Sequence, residues 1–80
     1  MALEDHKVGA YEVTNQAGCY FHCIYDKFKR CRSLNYQLTT PKDNSLKHQC
    51  EINYSTKNKH PESLKQRQGW VYEEVRLLKF

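Results

Sequence analysis

The sequence predicts an α+β fold in which one helix is tied to antiparallel strands. Three observations point there. Short runs alternate apolar and polar residues, the mark of half-buried strands. One stretch instead repeats its apolar residues at the roughly 3.6-residue period of a helix. Four cysteines, Cys19, Cys23, Cys31 and Cys50, fall on both kinds of element, spaced C-x3-C-x7-C-x18-C. The 80 residues make one domain, residues 1–80 with a core over about 6–78. A chain this short buries a modest core and needs a cross-link or a metal to hold a unique fold.

The elements follow in order. Val8 to Val13 reads as a strand carrying Val8, Tyr11 and Val13. Thr14-Asn15 is a helix cap, and the helix runs from Gln16 to about Phe28. Ala17, Phe21, Ile24 and Phe28 recur at i, i+4, i+7 and i+11, which places them on one apolar stripe. Leu34, Tyr36 and Leu38 then alternate with polar residues as a half-buried strand. Thr39 to Ser45 is a turn-rich loop, and a second alternating run, Lys47 to Tyr54, puts Cys50, Ile52 and Tyr54 on one face. The two runs form an antiparallel hairpin with an extended tip. Ser55 to Gln68 is polar and holds Pro61, which makes it a loop with at most a short helical turn around Glu62-Ser63-Leu64, and Gly69 to Leu78 is the last strand. Trp70 and Tyr72 alternate on that strand as core residues.

Composition excludes several classes. At 39% hydrophobic, 28% charged and a mean hydropathy of −0.92, with no apolar run near the ~20 residues a spanning helix needs, the chain does not insert in a membrane. Six Tyr, three Phe and one Trp are too many for a disordered chain. The first residues, Met1 to Asp5, are acidic and lead into no apolar h-region, so no signal peptide is visible. That leaves a cytosolic protein or a domain of a longer secreted chain, and the cysteines decide. Zinc sites favour C-x2-C knuckles, which are absent, although His22 and His48 lie near cysteines. A zinc-binding intracellular domain is therefore the alternative, and disulfides in an oxidising compartment the expectation. Cys19 and Cys23 lie one helical turn apart, with Cβ atoms ~5–6 Å apart, against the ~3.5–4.5 Å a disulfide requires. Each must reach Cys31 or Cys50 instead, which leaves two connectivities, both pinning helix to hairpin.

At this point the chain resembles the PAN/apple family of cysteine-rich extracellular modules, above all the PAN-like modules of invertebrate surface and secreted proteins. The residues that carry the likeness are Gly18-Cys19-x3-Cys23, Cys31-Arg-Ser-Leu-Asn-Tyr36, Cys50-Glu-Ile-Asn53, His60-Pro61-Glu-Ser-Leu64 and Gly69-Trp-Val-Tyr-Glu73. They occur in the family's order and span about residues 6 to 75. The resemblance implies a small antiparallel sheet with one helix packed across it and the bonds Cys19–Cys50 and Cys23–Cys31. It also implies extracellular recognition of a protein or glycan, without catalysis or cofactor, within a larger multidomain chain. The chain departs from apple domains proper in lacking a third disulfide that ties the termini, and its hairpin tip, around Thr39 to Lys47, is longer than usual.

Beside the cysteines, few residues suggest chemistry. No serine sits in a nucleophile setting, and bridged cysteines leave no thiolate to attack. His6, His22, His48 and His60 are scattered and read as surface residues; Glu73 and Glu74, adjacent on a strand, point to opposite faces. The basic segment at the helix exit is more suggestive. Lys27, Lys29, Arg30 and Arg32 lie within seven residues, and Phe28 to Ser33 fits the x-B-B-x-B-x pattern associated with heparin-like sulfated polysaccharides. For a net charge of +4, the reading preferred is a solvated surface with cations placed favourably at a helix C-terminus. Nucleic acid is not expected: Tyr20, Tyr25, Tyr36 and Tyr54 suit core stripes as readily as a stacking platform. Asn53-Tyr54-Ser55 is the one glycosylation sequon, placed at a strand end where an exposed asparagine is expected.

Overall fold

The computed structural model describes residues 1–38 and 47–75. It contains strand β1 (Ala2–Leu3), strand β2 (Lys7–Val13), helix α1 (Gln16–Ile24), strand β3 (Ser33–Gln37), strand β4 (His48–Asn53), strand β5 (Leu64–Lys65) and strand β6 (Trp70–Glu74). A single 3-10 turn, Pro61–Ser63, precedes β5 and begins on proline, whose missing N–H costs nothing there. The main sheet is antiparallel in the order β2-β4-β3-β6, and β1 pairs with β5 in a separate two-stranded sheet. The expected hairpin is therefore present, with Leu34 opposite Ile52 and Tyr36 opposite Cys50. Its extended tip, and the end of the last strand toward Leu78, lie outside the described residues.

The register sorts the side chains by face. Leu34, Tyr36, Cys50 and Ile52 share one face, and α1 packs on it. With Val13, Cys19, Cys23, Cys31 and Val75 they form the apolar core. Burial of a Leu or Ile of this kind stabilises by about 1.5–3 kcal/mol. Asn15 begins the helix as expected: its Oδ1 accepts the Gly18 N–H at 2.8 Å. Gly18 lets the helix approach β2, since a Cβ there would sit 3.3 Å from Val13 Cβ.

The opposite face departs from expectation. Ser33, Asn35 and Asn53 are as fully buried as the apolar residues. Strand β1 packs against β3, and its Ala2 and Leu3 are themselves buried, ahead of the expected start of the core at about residue 6. Asn35 holds β1 by hydrogen bonds to both backbone groups of Leu3. Strand β3 is thus buried on both sides rather than half-buried. Leu38, expected on its apolar face, lies beyond the strand and is exposed. Tyr54, one residue past β4, is likewise exposed.

Trp70 and Tyr72 are half-buried on the β1 side rather than in the core cluster. Arg67 lies over the Trp70 ring at 4.5 Å and pairs with Glu51 at 3.0 Å and Glu4 at 3.4 Å, closing this side.

Candidate functional site

The helix is shorter than its apolar stripe suggests. It ends at Ile24, and Tyr25 forms the C-cap. Cys23 is bonded to Cys31, with Cα atoms 5.2 Å apart, so the intervening chain has to turn back rather than continue at a helix's rise of ~1.5 Å per residue. Cys19 is bonded to Cys50 on β4, with Cα atoms 5.4 Å apart. This pairing is one of the two the helical spacing allows and the one the family resemblance implies. All four sulfurs are consumed, so none is a thiolate able to ligate zinc.

Two stripes compete for the inside of this nine-residue helix. Cys19 and Cys23, one turn apart, face the sheet and are buried. Phe21 lies between them, rotated by about 200° from each, and must point away. The expected core stripe is therefore turned outward. Ala17 is exposed and Phe21 is 50% exposed; Phe28, past the helix end, is 66% exposed; only Ile24 packs against the core. Tyr25, at 77%, is the most exposed of these rings. Phe21 and Tyr25 lie nearly parallel, with centroids 6.0 Å apart and planes at 23°. On the adjoining edge strand, Tyr11 stacks on His22 at 4.0 Å and 8°.

The turn that follows is held by Asp26. Its Oδ2 accepts the Arg30 backbone N–H at 2.7 Å, its carbonyl accepts the Lys29 N–H at 2.9 Å, and Lys29 adopts a left-handed φ of 53°. The Arg30 backbone N–H, outweighing burial and helped by the Arg30 guanidinium, holds the Asp26 carboxyl below its ordinary value. Two cations lie over the Phe28 ring: Arg30 Cζ is 4.9 Å and Lys27 Nζ 5.8 Å from its centroid.

The helix face, the turn and Tyr11 enclose an open cleft of about 650 Å³, whose lining includes Phe21, Tyr25, Phe28, Lys27, Arg30 and Asp26. The four cations of the basic segment do not all line it. Lys27 and Arg30 line the cleft, and Arg30 is also paired with Asp26 at 3.5 Å. Lys29 does not line it, and Arg32 donates from Nη1 to the carbonyls of Lys29 and Cys31. Two cations and one carboxylate leave the cleft a single net positive charge.

Other candidate residues fall elsewhere. Asn53 is fully buried, and its Nδ2 donates to Ser33 Oγ at 3.2 Å, so the expectation of an exposed sequon asparagine is corrected. Ser33 Oγ in turn donates to the Ser55 carbonyl at 2.7 Å, which fixes the sequon backbone. The histidines are less scattered than expected. His6 stacks on His60 at 4.1 Å and reaches Tyr54 Oη and Ser63 Oγ, each at 3.1 Å. His48 Nδ1 donates to the Gln37 carbonyl and its ring stacks on Tyr36. Glu73 accepts from Gln16 Nε2, and Glu74 accepts from Tyr72 Oη, on the opposite face of β6.

The cleft was not foreseen, although the sequence carried its signal. A helix with disulfide cysteines at i and i+4 cannot also bury an aromatic stripe on its far side. The chain matches no family model, no curated protein and no solved structure.

Proposed function

We propose that this chain is an extracellular recognition module of the PAN/apple kind, binding a protein or glycan by surface complementarity, with no bond made or broken. The observation that carries the reading is the outward aromatic face of α1 and its turn. Phe21, Tyr25 and Phe28 are large rings left in water, although a domain this small has every reason to bury them. A disulfide locks the segment that presents them, which lowers the entropy lost on binding. Two fully buried disulfides suit an oxidising compartment, and the five ordered sequence segments support the family assignment. As in that family, the module works within a larger adhesive, matrix or receptor chain.

The test is binding of the oxidised 80-residue chain to an array of extracellular proteins and glycans. The expected result is a ligand held by the wild type and lost by the Phe21→Ser/Tyr25→Ser/Phe28→Ser variant, whose disulfides and circular dichroism stay unchanged. A ligand held equally by that variant overturns the placement of the binding face. Four free thiols in protein taken from its natural location overturn the extracellular reading.

A further inference from the structure

Resting on that reading of the cleft, we infer that its ligand is a sugar: a pyranose ring bearing a single anionic group, laid against the exposed Phe21 and Tyr25 rings with its charge toward Lys27 and Arg30. Three features select this class. The first is the form of the apolar surface. Phe21 and Tyr25 are near-parallel, stacked rings, 50% and 77% exposed, on the wall of an open cleft rather than inside an enclosing pocket. An aliphatic or aromatic anchor of a protein partner gains its energy by filling a desolvated pocket. The C–H face of a pyranose is flat and weakly apolar, and it needs only a ring to lie on.

The second is charge. Lys27 and Arg30 lie over the Phe28 ring and line the same cleft as Phe21 and Tyr25, so rings and cations are presented together. Asp26 cancels one of the two positive charges. One net charge matches one carboxylate or sulfate. A heparin-like strand draws its affinity from many cations acting together, and here Arg32 is turned onto backbone carbonyls and Lys29 stands outside the cleft. The third is rigidity. The Asp26–Arg30 hydrogen bond and the Cys23–Cys31 bridge hold the turn that places Lys27 and Arg30, so little order remains to be imposed by a weakly binding ligand.

The test is a titration of the oxidised full-length chain, followed through backbone amide resonances, with four separate probes. These are a sialylated lactose, a monosulfated lactose, plain lactose and a glutamate-rich peptide. The expected result is saturable shifts at Phe21, Tyr25, Lys27 and Arg30 with at least one anionic sugar, and affinity at least tenfold lower for plain lactose. Which anionic sugar binds identifies carboxylate or sulfate as the source of the charge. Lys27→Gln with Arg30→Gln should reduce the anionic sugar to the level of plain lactose, and Tyr25→Ser should weaken it about tenfold, with amide dispersion retained in both variants. Equal binding of plain lactose removes the anion from the proposal. Peptide binding at the cleft with no sugar binding overturns the ligand class and leaves the cleft as the binding face. Shifts confined to another surface overturn both, and silence from all four probes overturns the sugar.

Discussion

The side chain of Asn35 forms a closed pair of hydrogen bonds with the backbone of Leu3: Oδ1 accepts the Leu3 N–H at 2.8 Å and Nδ2 donates to the Leu3 carbonyl at 2.9 Å. A buried asparagine on the central strand thereby does for β1 what a neighbouring strand does elsewhere. Nδ2 also donates to Glu51 Oε1 at 3.1 Å, which links the pair to Arg67 through the same oxygen. Asn35→Ala strands two buried backbone groups, and the expected loss is roughly 2–4 kcal/mol. Asn35→Asp should be worse, since a carboxylate would face the Leu3 carbonyl and Glu51. Urea denaturation of the three proteins checks this; an unchanged midpoint for Asn35→Ala would show that β1 is held by something else.

The two disulfides should contribute unequally. Cys19–Cys50 spans 31 positions and Cys23–Cys31 only 8, so the longer loop loses more unfolded-state entropy when closed. On that basis the bridges are worth about 4 and about 2.5 kcal/mol respectively. Replacing each pair by alanine and comparing unfolding free energies tests the order. The cysteines are equally buried, so the packing loss is similar in both variants and the difference reports the loops.

Asp26 should give the turn an acid-sensitive component. Its carboxyl titrates below the ordinary 3.8, mainly because it accepts the Arg30 backbone N–H. A depressed folded-state pKa contributes stability that is present above the unfolded value and fades as pH falls through the folded one. The advantage of wild type over Asp26→Asn should therefore hold constant at neutral and mildly acidic pH and shrink below 3.8. Melting temperatures of both proteins across the acid range measure it, and a pH-independent gap would mean that the charge plays no part.

Asn53 should carry no glycan in the folded protein. Its amide nitrogen, the atom that would bear the sugar, is buried and engaged with Ser33. Secreted from a glycosylating host, the chain should show one intact mass, unchanged by a glycosidase that removes N-linked sugars. Asn53→Ala should instead be destabilising, by about 1–3 kcal/mol for the loss of its bond to Ser33 and of buried contact. A glycosylated, normally folded product would contradict the buried placement.

Much of this architecture was legible in the chain. Period-two alternation located β3 and β4, and it set Leu34 with Tyr36 and Cys50 with Ile52 on one face of each strand, the faces that the register joins in the core. Asn15 announced the helix start. Helical spacing kept Cys19 from bonding Cys23. These are short-range properties, set by backbone period and the reach of a side chain, so they survive without knowledge of distant neighbours.

What the tertiary structure decided lies at longer range. Local pattern cannot tell that Ser33, Asn35 and Asn53 are buried, because their partners are Leu3, Ser55 and one another, remote in sequence or polar. Nor does periodicity say which of two stripes on α1 faces the sheet. The bond from Cys19 to Cys50 settles that by holding one side of the helix down. Phe21, Tyr25 and Phe28 are then left outside, beside two cations. The sequence by itself determined strands β2, β3, β4 and β6 and the start of α1; covalent ties and hydrogen bonds across long separations added β1 and β5 and determined which faces meet water, and so where a ligand can be held.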